Sequence, residues 1–240
     1  MREEVVRQLI DLNRGFYRGF AAPFAATRTR LQPGVRRAVE LIPRVADVLD
    51  LGCGTGEMAS ALRHAGHTGG YIGIDASAEL LAIARARHPS DAEHFLEVDL
   101  ASPGWEGRVK GPFACITAFA VLHHIPSERL RSSVARSMGK LLAPGGSIML
   151  SVWNFNASAR LRARIVPWQR VGLAEADVDP GDALLDWRQG GSGVRYVHAF
   201  GPDELDGLAA SAALTVIDRY DSDGEGGRLG HYQVWNRPSF

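Results

Sequence analysis

Cysteine is scarce in this chain of 240 residues, with Cys53 in a glycine-rich turn and Cys115 in an apolar run as the only two. Neither has metal-ligand company, and a turn residue bonded to a central-strand residue makes a poor disulfide, so a disulfide scaffold and a zinc module are excluded. The scarcity points to a reducing, cytoplasmic setting. Long hydrophobic runs are missing too. The opening MREEVVRQLIDLN alternates charge with apolar residues and lacks the continuous core of a signal peptide or membrane span, so we expect a soluble protein with no membrane partner. Nor does one sign of charge dominate: 27 basic residues balance 27 acidic ones, and the whole chain exerts no general pull on nucleic acid or a membrane surface.

What is present is enough apolar sequence, 45%, for one sizeable core. Apolar residues at helical spacing (Val5, Val6, Leu9, Ile10, Leu12, Phe16, Phe20) predict a helix over 3–20, and Pro33 opens a second that runs to Ile42. From Asp47 the pattern changes. Short apolar runs at 47–51, 71–74, 94–98, 113–119 and 147–153 alternate with amphipathic stretches at 57–64, 78–87 and 127–142. Strand and helix in alternation predict an α/β, doubly wound, Rossmann-like fold with a mostly parallel sheet covered on both faces. After Trp153 comes an Arg-rich helical piece (157–166), an acidic loop (175–186) and the glycine run 190–193, too long together for a plain connection. Residues 195–200, a helix over 202–212 and a hairpin of 215–220 with 231–236 complete the chain, the hairpin making one strand antiparallel. We therefore expect a single domain over 1–240, with a helical cap (1–44), a core (45–153), an insert (154–194) and the C-terminal part of the sheet (195–240).

The stretch VLDLGCGTGEMA, residues 48–59, places a glycine turn directly after the first strand, where open α/β sheets bind ligands. Dinucleotide binding calls for G-x-G-x-x-G; here Gly52, Gly54 and Gly56 give G-x-G-x-G, and Glu57 occupies the third glycine's place, facing where a pyrophosphate would lie. A P-loop fails because no Gly-Lys-Ser/Thr follows. The acids favour a nucleoside without phosphate. Asp75 ends the second strand at the spacing of a ribose-binding carboxylate, with Ala76 after it. Asp99 can accept from an adenine amine, with Leu100 flanking the ring, and Asp50 at the tip of strand one faces a positive part of the ligand. Ribose, adenine, ammonium and no phosphate describe S-adenosylmethionine. Cys53 in the turn and Phe119 at the end of strand four join the candidate cofactor set.

These residues resemble the class I S-adenosylmethionine-dependent methyltransferase superfamily, through 48–56, Gly73-Ile74-Asp75, Glu97-Val98-Asp99-Leu100, Ala120 to Ile125 and Leu142 to Gly146 in that order. The resemblance implies seven strands with an antiparallel last one, and S-adenosylhomocysteine as product. Residues Phe16-Tyr17 through Thr27-Arg28, Gly181 to Trp187, and Arg195-Tyr196-Val197-His198-Ala199-Phe200 are similar to the family that methylates 5-carboxymethyluridine at the tRNA wobble position. That implies tRNA as a partner, with a small activating subunit as another. Where the family's loop reads Asp-Val-Leu-Val-Pro-Trp, this chain has Asp186 in place of the proline.

Methyl transfer asks chiefly for alignment, and a carboxylate acceptor is ionised at neutral pH and needs no base. It does need donors. Arg195 and His198 are candidates, with plain structural hydrogen bonding as their other reading; on an extended strip Arg195 and Val197 share one face, Tyr196 and His198 the other. Of His123 and His124 after strand four, one faces the cleft and one packs; His123 is taken as the candidate. The catalytic set is thus His123, Arg195 and His198, with no metal. Tyr17 and Arg28 read as a cap over the cofactor, Arg28 toward its carboxylate, with core or surface roles as the alternative. From 129 to 170 the chain carries seven arginines and Lys140 with no acid, a patch able to track phosphates, with Trp153, Phe155 and Trp168 available to stack a base. A solvated helix face is the plainer reading. Two alternatives to tRNA stay open: a small-molecule carboxylate or hydroxyl acceptor under an insert acting as a lid, and a non-catalytic cofactor-binding subunit, against which the intact glycine turn and Asp75 speak.

Overall fold

In a computed structural model, residues 1–27, 30–89, 93–201, 203–224 and 226–237 are described. Three helices open the chain: α1 (Glu3–Gly19), α2 (Ala21–Ala26) and α3 (Pro33–Leu41). In α1 the buried residues Val5, Val6, Leu9, Asn13 and Phe16 repeat every three to four positions and form one stripe, and Glu3, Glu4 and Arg18 complement the helix dipole. The core then runs β1 (Val48–Leu51), α4 (Glu57–His64), β2 (Tyr71–Asp75), α5 (Ala78–Arg87), β3 (Glu93–Glu97), β4 (Phe113–Phe119), α6 (Glu128–Leu141) and β5 (Leu142–Trp153). β5 starts five residues before the expected Ser147, because Leu142 already pairs with Phe113, ahead of a register shift between Phe113 and Cys115.

The expected helix over 157–166 shrinks to a single turn, α7 (Ala159–Arg162), followed by β6 (Ile165–Val166). The end of the acidic loop is a strand, β7 (Asp182–Trp187), and it pairs antiparallel with β8 (Gly193–His198) and with β6. Residues 195–198 therefore belong to a separate three-stranded sheet, β6-β7-β8, and not to the main sheet. Asp186 makes this possible in one detail: its N–H donates to the Arg164 carbonyl at 2.9 Å, a bond that a proline there would lack. The chain returns to the core with α8 (Glu204–Ser211), β9 (Thr215–Ser222) and β10 (Gly230–Asn236).

The main sheet has the order β3-β2-β1-β4-β5-β10-β9, with β10 antiparallel to both neighbours. Alternation along β1 and β4 splits the core. Leu49, Leu51, Ile116 and Ala118 face α6 and α8, while Val48 and Cys115 face α3, α4 and α5. The order reverses between β1 and β4, and the cavity described next opens at the carboxyl ends of these strands. α1 packs Val5 and Leu9 on Leu184 and Tyr196 of the small sheet and reaches Glu79 of α5 through Arg18, so it bridges the two sides of that opening. No described helix is long and apolar enough to cross a membrane.

Candidate active site

A cavity of about 1050 Å³ is lined by the glycine turn, the ends of β1, β2 and β4, the residues after β3, helix α1 and the small sheet. Gly52, Gly54 and Gly56 all hold positive φ. A Cβ on Gly56 would stand 2.8 Å from the His88 ring packed beneath the turn, whereas one on Gly54 would meet nothing within 4 Å. At Gly54, then, bare backbone faces the opening.

Three carboxylates ring the ligand side. Asp50 is 4% exposed; its Oδ1 accepts from the Thr117 hydroxyl (2.7 Å) and its Oδ2 from Tyr71 (2.8 Å). Burial pushes its pKa up to about 6 against those two hydrogen bonds, with Asp75 and Glu57 adding to the rise. Asp75 accepts from the N–H groups of Gly54 and Ser77, each at 2.9 Å, and burial raises its pKa also. Asp99 accepts from Ala101 N–H (2.8 Å) and from Arg14, whose Nε lies at 2.9 Å. Arg14 was not singled out in the sequence; its place one turn after Ile10, on a helix that crosses the opening, shows only in three dimensions. Glu57 is held by Arg87 (2.9 Å) and by the Thr55 hydroxyl. The glycine turn and the strand ends beside it thus present carboxylates, a set of acceptors that suits hydroxyls and positive charge and disfavours a pyrophosphate.

Tyr17, Cys53, Ala76, Leu100 and Phe119 also line this cavity, together with Gly52, Gly54 and the acids named above; Gly56, expected among them, does not, because it packs against the His88 ring. Arg28 lies outside the described residues. Of the two histidines after β4, the structure reverses the expected choice. His123 is fully buried, stacked on Trp153 at 4.7 Å with its Nδ1 accepting from the Trp153 N–H, and does not reach the cavity. His124 does, its Nε2 2.8 Å from the Tyr17 hydroxyl and its Nδ1 3.1 Å from the Tyr196 carbonyl. The 3₁₀ turn Leu122–His124 sends successive side chains about 120° apart, so only one of the pair can face the opening. With Nδ1 donating to the carbonyl, Nε2 accepts from Tyr17.

Arg195 faces the cavity, 5% exposed, its guanidinium carbon 4.6 Å from the Trp153 ring centre, 5.3 Å from Phe16 and 5.4 Å from Trp187. His198 does not. Strand alternation turns it away into a buried cluster where it meets Asp182 (2.7 Å) and Glu204 (2.9 Å), and Glu204 in turn meets Arg131 (2.9 Å). Phe155 and Trp168, offered as stacking partners, are buried in the packing of the small sheet; Trp153 and Trp187 are among the aromatics that line the cavity. The basic patch also divides. Arg131 is buried against Glu204 and Lys140 pairs with Glu106, while Arg160 and Arg164 line the cavity without an ion pair among the described residues.

The fold matches solved S-adenosylmethionine-dependent methyltransferases. A further neighbour comes from a complex with the Haloferax volcanii Trm112 methyltransferase activator (17% identity, TM-score 0.67, 95% of this chain and 98% of that one). Among curated relatives, "Probable tRNA methyltransferase 9B" of Bos taurus is 29% identical over 64% of this chain and 32% of its own length. The ubiquinone biosynthesis O-methyltransferase of Hydrogenovibrio crunogenus is 27% identical over 70% of this chain and 61% of its own. The chain thus spans about a third and about three fifths of these two relatives. Residues 24–216 match the model of the methyltransferase domain family, and with the glycine turn, its carboxylates and the reversed sheet order they make this chain a member of that family.

Proposed function

We propose that the acceptor is a carboxylate on a nucleic-acid base, the 5-carboxymethyl group of a wobble uridine in tRNA. The observation that carries this reading is Arg195: a guanidinium on the cavity wall, inside a cage of Trp153, Phe16 and Trp187. Such a cage offers flat faces for a planar ring and a fixed fork for a carboxylate beside it. The likeness to "Probable tRNA methyltransferase 9B" supports tRNA as the molecule that carries the acceptor. Arg160 and Arg164 at the opening would meet the flanking phosphates. The neighbour solved with an activator supports a small activating subunit as a further partner.

The cofactor supplies an electrophilic methyl group on a sulfonium. Asp75 would take the ribose hydroxyls, Asp99 with Leu100 the adenine, and Asp50 the positive end of the methionine part. Gly54 lets the turn approach closely, and Tyr17 caps the ligand from α1. Arg195 holds the acceptor and takes up its negative charge until it is lost in ester formation. Orientation of this kind is worth up to about 7–11 kcal/mol, so alignment is the main catalytic task.

A second reading rests on a specific pair. The Tyr17 hydroxyl and His124 form a dyad, oriented by the Tyr196 carbonyl, that could take the proton of a small-molecule hydroxyl, and the O-methyltransferase relative favours that acceptor class. The two readings are separated by offering carboxymethyl-bearing tRNA and a catechol, with nucleosides and products identified by mass. On the first reading the tRNA is methylated, the rate is flat with pH above the carboxylate range, and Arg195→Ala lowers kcat/KM about 100-fold or more while cofactor affinity changes little. Methylation of the catechol alone, with a rate that climbs through the histidine range, overturns it.

A further inference from the structure

Asn13 is a polar residue in the apolar stripe of α1, 7% exposed, and its amide is fully engaged. Its Oδ1 accepts from the Tyr196 N–H at 2.8 Å; its Nδ2 donates to the Tyr196 carbonyl (3.2 Å) and to the His124 carbonyl (3.1 Å). Tyr196 stands opposite Leu184 in the antiparallel β7-β8 pair, and β8 is an edge of the small sheet. Its N–H and C=O both turn outward to one side chain, so Asn13 does the work of a missing strand. The Tyr196 carbonyl also receives His124 Nδ1, and His124 Nε2 meets Tyr17, one turn after Asn13 on the same helix. A ring of hydrogen bonds therefore leaves α1 at Asn13 and returns to it at Tyr17.

We infer that Asn13 is a positioning residue for methyl transfer: it docks the cap helix onto the acceptor strand and fixes the His124 ring with its proton on Nδ1. Its neighbour Arg14 reaches Asp99 on the cofactor side, and the residue next to Tyr196 is Arg195 on the acceptor side. One amide thus sets the spacing between the two halves of the cavity, whichever acceptor is used.

The test compares Asn13→Ala and Asn13→Asp with Gln8→Ala, which removes another α1 anchor, to the Val171 carbonyl at 2.6 Å and off the cavity. Three readouts need no acceptor: amide exchange at Tyr196, the ¹⁵N shifts of the His124 ring, and the dissociation rate of S-adenosylhomocysteine. In Asn13→Ala we expect Tyr196 exchange and product dissociation each to rise about tenfold or more and the His124 ring to become a mixture of tautomers, with changes under about twofold in Gln8→Ala. Asn13→Asp keeps the acceptor for the Tyr196 N–H but sets an oxygen against two carbonyls, so it should keep the amide protected and still shift the His124 ring. Unchanged His124 signals and product dissociation in Asn13→Ala, or equal changes in Gln8→Ala, overturn the proposal. Should Asn13→Ala fail to fold, an unchanged His124 ring in Asn13→Asp overturns it.

Discussion

Asp50 shows how a single side chain is tuned by its surroundings. Its carboxyl is raised from 3.8 to about 6, a preference for the neutral form on the order of 3 kcal/mol. A folded-state pKa above the unfolded one means that the native protein holds the extra proton. Stability is therefore lost as pH rises from about 4 to about 6. A cationic ligand reverses this by favouring the carboxylate, so S-adenosylmethionine should bind with proton release near pH 6 and weaken by up to about tenfold per pH unit below it. Calorimetry in buffers of different ionisation enthalpy measures both quantities. Affinity that stays constant from pH 5 to 7, in the wild type as in Asp50→Asn, would remove Asp50 from the cofactor's positive end. The neighbouring Cys53 and Cys115 are buried thiols with raised pKa values, Cys115 to about 12, which leaves them as packing residues without thiolate chemistry.

At the scale of elements, the small sheet is bolted to the core by the cluster of Asp182 on β7, His198 and Tyr196 on β8, Glu204 on α8 and Arg131 on α6. Burial lowers the His198 pKa, but hydrogen bonds to Asp182 and Glu204 outweigh burial and Arg131, and the balance is a raised value. The Glu204 pKa is lowered, because His198 and Arg131 overcome its burial. The signs set a window. His198 contributes fully below about 6.5 and loses that contribution as pH rises through its raised value; Glu204 contributes above about 4.5 and loses it as pH falls through its lowered value. Thermal unfolding followed from pH 4 to 9 should show His198→Gln losing most stability relative to wild type at about pH 5–6 and least at pH 9. A difference that does not change with pH would mean that His198 acts by packing alone. The same alternation that points His198 into this cluster turns Arg195 to the cavity, so the role expected of His198 passes to structure.

Over the whole molecule, a net charge of zero leaves long-range steering weak, and any grip on tRNA must come from local groups. Arg160 and Arg164 are the insert's cations on the cavity wall. If they track phosphates beside a splayed base, replacing both with alanine should flatten the slope of log K against log salt by about 1.4, at roughly 0.7 per single-strand contact, and leave cofactor binding unchanged. A slope equal to the wild type's would place those phosphates elsewhere. Much of this molecule was legible in the chain: the alternation of strands and helices, the hairpin that sets β10 antiparallel, and a glycine turn whose Glu57 breaks the dinucleotide spacing. The insert was not. Its strands are two to six residues long, and β7 reads as an acidic loop because Asp182 and Asp186 interrupt the apolar run; cross-strand pairing, not periodicity, makes it a strand. The choice between His123 and His124 was equally hidden, since adjacent residues of one type carry no sign of which way a 3₁₀ turn will face them.

By itself, then, the sequence determined the doubly wound sheet and the glycine turn after its first strand. These follow from local properties: period and turn chemistry. Tertiary structure alone decided that Asp99 meets Arg14, that Asn13 closes the edge of a second sheet, that Arg195 sits among three aromatic rings and that His198 does not reach the cavity. Each of these joins residues from segments far apart in the chain, and their partners are set by how helices and sheets pack, which no local pattern encodes.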